Sequence, residues 1–233
     1  MEKVLAIENV RVVYSSGSVE TVAVQDVSLD IYSESVTIIL GQSGCGKTSL
    51  LNVIGGMKNP TEGTILFRGE NISEFNEKRL TKYRKDDVGF IFQNYNLLAS
   101  LTALENVNVA VALSKDCKSA EEMLRLVGLS DKENHYPRQL SGGEQQRVCI
   151  ARALVKNASF LLCDEPTGAL DTHNAKNIIT ILQKVAKEFK IPVVIVTHNP
   201  DYRKIADHVI VMENGRVIEE TFRDDPADAT EAF

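Results

Sequence analysis

The run Gly41-Gln42-Ser43-Gly44-Cys45-Gly46-Lys47-Thr48 leaves this stretch of chain little choice of local fold. Its spacing, G-x-x-x-x-G-K-[ST], lets successive backbone N–H groups curl around a phosphate. Such a loop is expected between a strand that delivers it and a helix whose N-terminus receives the anion. The flanking residues supply both. Val36-Thr37-Ile38-Ile39-Leu40 is a short apolar run, and Leu50, Leu51 and Ile54 carry helical spacing as far as Gly55-Gly56. Lys47 is expected to meet the β- and γ-phosphates, and Thr48 to set its hydroxyl on Mg²⁺. Cys45 stands inside the loop, where the backbone does the binding, so little loss is expected from it, though it could make the site thiol-sensitive.

The remaining chain reads as strands and helices around this unit. Val4 to Tyr14 and Thr21 to Ile31 are rich in β-branched residues and flank Ser15-Ser16-Gly17-Ser18, the pattern of a small antiparallel lobe. Residues 95–158 lack strand signals, and Met123, Leu124 and Val127 keep helical spacing up to Gly128, so a helical lobe is expected there. Phe160 to Cys163 and Ile191 to Thr197 are apolar strands. Between them Ile178, Ile181, Leu182, Val185 and Phe189 form one helix face. Alternating strands and helices imply an α/β fold with a mostly parallel core sheet. Near the end, Val209 to Met212 and Arg216 to Ile218 flank Asn214-Gly215, a hairpin turn. Residues 219–233 are acidic with little apolar content, and a loose tail is expected.

Size, charge and cysteines narrow the class. At 233 residues the chain is long enough for one large domain, taken as 1–233. The net charge of -6 gives no reason to expect nonspecific attraction to nucleic acid or anionic lipid. Cys45, Cys117, Cys149 and Cys163 show no metal-ligand spacing and read as reduced. Met1 to Val10 lacks the basic start and apolar core of a secretion signal, and apolar runs such as Val193 to Val196 are far shorter than the roughly 20 residues of a membrane helix. A link to a membrane would require a partner chain.

Two further clusters carry chemistry. Phe160-Leu161-Leu162-Cys163 runs into Asp164-Glu165, two carboxylates at a strand end, where open α/β sheets present ligand groups. Asp164 is expected to help hold Mg²⁺, and Glu165 to orient and deprotonate the attacking water. Leu140-Ser141-Gly142-Gly143-Glu144 places two glycines after a serine that fits a capping box with Glu144, which makes a second anion-binding helix end. One ATP has a single γ-phosphate. The economical arrangement therefore holds the nucleotide between the phosphate loop of one chain and the Ser141-Gly142-Gly143 end of another, two nucleotides per symmetric pair.

Together these motifs resemble the nucleotide-binding domain of ABC transporters, over nearly the whole chain. The resemblance implies a P-loop NTPase fold with an N-terminal antiparallel β lobe and an inserted helical lobe. It also implies ATP hydrolysis with Mg²⁺, an ATP-dependent homodimer, an integral-membrane permease partner on the inner face of the membrane, and no nucleic-acid partner. Residue by residue it assigns adenine stacking to Tyr14, contact with Mg²⁺ and the attacking water to Gln93, a dimer-crossing loop to Gly168-Ala169-Leu170-Asp171, and γ-phosphate sensing to His198. His135, His173 and His208 match nothing and are left as surface or packing residues.

A soluble ABC ATPase acting on DNA or ribosomes is disfavoured. Gln93 and Ser141 are only 48 residues apart, without room for a long coiled coil, and each motif occurs once. Asn94-Tyr95-Asn96-Leu97-Leu98, Leu101 to Val107 and Glu165 to Thr172 resemble the macrolide-efflux and lipoprotein-release subfamily, which includes antimicrobial-peptide resistance pumps. An amino-acid importer ATPase shares most of these motifs and is the competing reading. Tyr95, Leu97 and Leu98 are expected either to form an apolar patch for the permease or to fill the helical lobe's own core.

Overall fold

Side chains on a strand alternate between faces, so a strand that is apolar at every position must be covered on both sides. The computed structural model, which describes residues 2–17, 19–114 and 116–232, shows this arrangement. Strands β1 (Lys3–Ser16) and β2 (Val19–Tyr32) pair antiparallel, and Ser18 of the expected turn lies outside the described residues. Strand β3 (Val36–Leu40) runs into the phosphate loop and helix α1 (Lys47–Ile54). Strands β4 (Glu62–Phe67) and β5 (Glu70–Asn71) complete a four-stranded sheet in the order β2-β1-β4-β5.

Helix α2 (Glu77–Asp86) and strand β6 (Val88–Ile91) come next, neither singled out by the sequence reading. The helical segment follows with α3 (Ala103–Leu113), α4 (Ala120–Leu126) and α5 (Gly142–Leu154). Strand β7 (Phe160–Asp164), helix α6 (Thr172–Phe189), strand β8 (Val193–Thr197), the hairpin β9 (His208–Glu213) and β10 (Arg216–Phe222), and the short helix α7 (Ala229–Ala232) close the chain. Six strands form the second sheet in the order β10-β9-β3-β8-β7-β6, parallel except for the β9/β10 pair. Among the described residues no helix is long and apolar enough to cross a membrane.

The two faces of the parallel sheet feed two cores. Leu161, Cys163, Val193 and Ile195 face the helical segment and α6, joining Met123, Leu124, Val148, Ile178 and Leu182. Phe160, Leu162, Val194 and Val196 point the other way, against Leu50 and Leu51 of α1 and against Leu5, Ile7 and Ile65 of the antiparallel sheet. The capping box of α5 forms as expected: Glu144 accepts from the Ser141 N–H at 2.7 Å and the Ser141 hydroxyl from Glu144 N–H at 3.3 Å. Asn214 and Gly215 both take positive φ, +48° and +79°, as the tight hairpin requires.

The C-terminal segment differs from expectation. Strand β10 continues to Phe222, whose ring stacks on buried His208 at 4.1 Å between centroids. Farther on, Ala229 is fully buried. The agent is Gln183 of α6, a buried amide that donates to the Ala227 and Ile205 carbonyls and accepts from the Ala229 N–H. A buried amide must find partners, and the tail supplies them. Its acidic composition describes only the outward side chains.

Candidate functional site

The parallel register decides where the site forms. Leu40 pairs with Thr197, Asp164 with Val196, and Ile91 with Cys163, so β3, β8, β7 and β6 all finish at one sheet edge. The phosphate loop, Gln93, Asp164-Glu165 and His198 therefore emerge side by side, although 157 residues separate Gly41 from His198 in the chain. They bound a cavity of about 370 Å³ in which Ser43, Gly44, Gly46, Lys47 and Thr48 face Gln93, Asp164, Glu165 and His198. Ala23 and Ser49 also line it, and neither was singled out from sequence. Both lie beside recognised elements and carry no motif letter of their own.

Within the loop, Gly46 holds φ +103°, and any β-carbon there would collide with the Ala23 carbonyl. Glycine is the residue that fits. Lys47 is buried and turns its ammonium back over the loop, donating to the Gly41 carbonyl at 2.7 Å and the Gln42 carbonyl at 3.0 Å. The β9–β10 turn supports the loop, since Gly215 N–H donates to the Cys45 carbonyl and the Gly215 carbonyl accepts from Gln25 N–H. The antiparallel sheet, the phosphate loop and the C-terminal hairpin are thus stitched together by backbone bonds.

Opposite the loop, the Thr48 hydroxyl donates to Asp164 Oδ1 at 3.0 Å. Burial raises the Asp164 pKa and the neighbouring Glu165 charge adds to it, while the Thr48 bond and Lys47 oppose them. A carboxylate in that state gains from a cation. The adjacent donors are oxygens of Thr48, Asp164 and Gln93, the set a hard ion such as Mg²⁺ prefers. Among the described residues no group of three His, Cys, Asp or Glu could hold a metal by itself. Mg²⁺ usually takes one or two protein carboxylates and completes its shell with phosphates and water.

Glu165 sits at φ +45°, a left-handed conformation that costs a non-glycine residue on the order of 1 kcal/mol or more. Two backbone bonds hold it there, from Glu165 N–H to the Val196 carbonyl and from Gly168 N–H to the Glu165 carbonyl, both at 3.0 Å. The turn swings the carboxylate away from the strand toward His198, whose Nδ1 lies 3.1 Å from each carboxylate oxygen. Strained backbone held by its surroundings is a recurrent property of working sites.

The other expected site residues do not line this cavity within one chain. Tyr14 is exposed on β1, with Lys58 Nζ 3.7 Å from its ring centroid. Ser141, Gly142 and Gly143 open α5, and Asp171 caps α6 by accepting from Asn174 N–H at 2.9 Å. These two helix starts lie together, because a β-carbon on Gly143 would meet Asn174 and one on Gly142 would meet the Tyr95 hydroxyl. Tyr95 and Asn96 both take positive φ, and Arg152 of α5 donates to both their carbonyls, at 2.9 and 2.7 Å. The expected apolar patch divides accordingly. Leu98 is half exposed, Leu97 packs against the core and Tyr95 is partly buried. Buried Asn106, which sequence reading passed over, shapes this loop by donating to the Leu98, Leu101 and Thr102 carbonyls.

The geometry has counterparts among known proteins. Residues 24–168 match the family model described as ABC transporter. The macrolide export ATP-binding/permease protein MacB of Bradyrhizobium diazoefficiens is 39% identical across 99% of this chain, which spans 36% of that relative. The methionine import ATP-binding protein MetN of Corynebacterium efficiens is 45% identical over 90% of this chain and 60% of its own length. A solved structure of the ATP-binding cassette MJ0796, in a dimeric post-hydrolysis state bound to ADP and Pi, superposes with a TM-score of 0.85 at 36% identity, covering 94% of this chain and 98% of the other. The chain belongs to the ABC transporter family, as its ATP-binding ATPase subunit.

Proposed function

We propose that this chain binds Mg-ATP between two copies of itself and drives a membrane permease of the macrolide-efflux and lipoprotein-release type. The observation that carries the reading is the convergence of Lys47, Thr48, Asp164, Glu165, His198 and Gln93 at one sheet edge. Loop N–H groups and Lys47 hold the β- and γ-phosphates, and Thr48, Asp164 and Gln93 provide the oxygens for Mg²⁺. When bound, Mg²⁺ neutralises charge on the β- and γ-oxygens during transfer. Glu165 orients the attacking water and takes its proton. His198, 3.1 Å from Glu165, fixes that carboxylate and reaches toward the γ-phosphate. Tyr14 stacks on adenine.

The second half of each site comes from the other copy, through Ser141, Gly142 and Gly143 at the start of α5 and the loop to Asp171. The dimeric form of MJ0796 supports this arrangement. The chain then works on the inner face of the membrane, docked on the permease through the loop after Gln93, with no nucleic-acid partner. Arg152 joins that loop to α5, so movement at Gln93 and movement at Ser141 are mechanically linked.

The subfamily assignment rests on the segments following Gln93 and Glu165 and on the MacB likeness. The MetN likeness, higher in identity, favours an amino-acid importer instead. Affinity purification of the chain with its membrane partner decides between them. A four-helix permease with a large external domain supports the first reading, and a periplasmic-type binding protein in the complex overturns it.

A further inference from the structure

Glu165 and His198 follow the ends of two neighbouring strands, β7 and β8, and their side chains meet at 3.1 Å. Packing does not hold the histidine, whose side chain is 68% exposed, so its backbone must. The turn that carries it is pinned by Asn199 N–H on the Thr197 hydroxyl at 3.1 Å, Asp201 N–H on Asn199 Oδ1 at 3.0 Å, and Tyr202 N–H on the Asn199 carbonyl at 3.4 Å. The turn that carries Glu165 is closed by Gly168 N–H on the Glu165 carbonyl and by Leu170 N–H on the Thr167 carbonyl, both at 3.0 Å. A further side-chain bond joins the two turns. The Tyr202 hydroxyl donates to the Thr167 hydroxyl at 2.9 Å, and both residues are buried. Tyr202, Thr167, Asn199, Glu165 and His198 also share the lining of a second cavity, of about 420 Å³.

We propose that Tyr202 is a positioning residue for ATP hydrolysis: through Thr167 it fixes the turn of Glu165 against the turn of His198. The proposal rests on the reading of Glu165 as base and of His198 as the group that reaches the γ-phosphate. Tyr202 and Thr167 do not line the phosphate cavity, so they act through that pair. The phenol supplies a donor that phenylalanine lacks, and Thr167 supplies the acceptor two residues after Glu165.

Such a bond adds little net stability, yet it removes freedom of one turn relative to the other. A base has to meet its water within hydrogen-bond reach, so that freedom matters. Misplacing a reacting group by about 1 Å costs on the order of 10² in rate, and a brace whose loss allows a fraction of that shift predicts about a tenfold fall in turnover.

The test compares Tyr202→Phe, Thr167→Val and Thr167→Ser in the full chain, reading kcat, KM for Mg-ATP and folding by circular dichroism. Tyr202→Phe keeps the buried ring and should lose about tenfold in kcat with KM within a few-fold, because Lys47 and the loop N–H groups are untouched. Thr167→Val should lose as much, and Thr167→Ser, which keeps the hydroxyl, should recover native turnover. Packing alone predicts the reverse order, since serine leaves a gap where the methyl was and valine does not. Tyr202→Phe combined with Thr167→Val should be no slower than either alone, because both delete the same bond. The proposal is overturned if Tyr202→Phe turns over at the native rate, if Thr167→Val outperforms Thr167→Ser, or if the two losses multiply. Glu165→Gln, measured alongside, separates the brace from the base. A slow Glu165→Gln with a native-rate Tyr202→Phe overturns the brace alone, and a native-rate Glu165→Gln overturns both. The Thr167 pair decides even where Tyr202→Phe fails to fold.

Discussion

Replacing Glu165 with Gln isolates its proposed chemistry from its structural role. The amide has the same shape, so the φ +45° turn and its two backbone bonds should persist. It retains hydrogen-bonding capacity toward His198 Nδ1. ATP binding should survive, because Lys47 and the loop N–H groups lie across the cavity. Removing the Glu165 charge also lowers the Asp164 pKa, so that carboxylate stays ionised. What is lost is a base: general-base catalysis contributes roughly 10²- to 10⁴-fold, equivalent to about 3 to 5 kcal/mol of barrier. Phosphate release should therefore fall by that factor while nucleotide affinity stays within a few-fold. Because hydrolysis no longer opens the pair, size-exclusion with light scattering should show a monomer in nucleotide-free buffer and a dimer with Mg-ATP. ATPase activity within a few-fold of the native chain would remove Glu165 from the role of base. A tight dimer without nucleotide would refute closure by the phosphate.

Further outcomes follow from other parts of the molecule. Gly46→Ala should abolish ATP binding while the fold stays largely intact by circular dichroism, because the added methyl meets the Ala23 carbonyl and the loop must move. Gln183→Leu strands two carbonyls and one N–H, costing about 2 to 3 kcal/mol; melting should drop by roughly 4 to 12 °C, with hydrogen exchange rising around Ala227 and Ala229. The raised Asp164 pKa means its carboxylate takes up a proton at a pH above the usual 3.8; Mg²⁺-dependent binding of ATP should weaken as pH falls through that range, and Asp164→Asn should weaken it at all pH. Burial lowers the Lys156 pKa, so the unfolded chain binds the proton up to about 10.5 and the folded chain only up to about 8; native stability should rise between those values relative to Lys156→Met, as chemical denaturation would show.

Much of the local structure around the candidate site was legible because its letters are local. The phosphate loop needs glycines at set offsets, and Gly44 and Gly46 do take positive φ. A capping serine announces α5, and an apolar run ending in two carboxylates announces β7. These signals depend on residues a few positions apart, and each one formed as expected. The unbroken apolar run Val193 to Val196 likewise told that both faces would be covered, though not by what.

What tertiary structure decided is which distant pieces meet. Only the register Leu40↔Thr197, Asp164↔Val196 and Ile91↔Cys163 brings Gln93, Glu165 and His198 to the loop, and register arises from packing both sheet faces at once. The left-handed Glu165, the Ala23 wall behind Gly46 and the Gly215 support under Cys45 all rest on backbone contacts across the fold. The C-terminal segment is the sharpest case. Its composition argued for a loose tail, yet one buried amide, Gln183, lies 46 residues from Ala229 and holds it, because an unpaired polar group inside the protein costs more than ordering the chain that satisfies it.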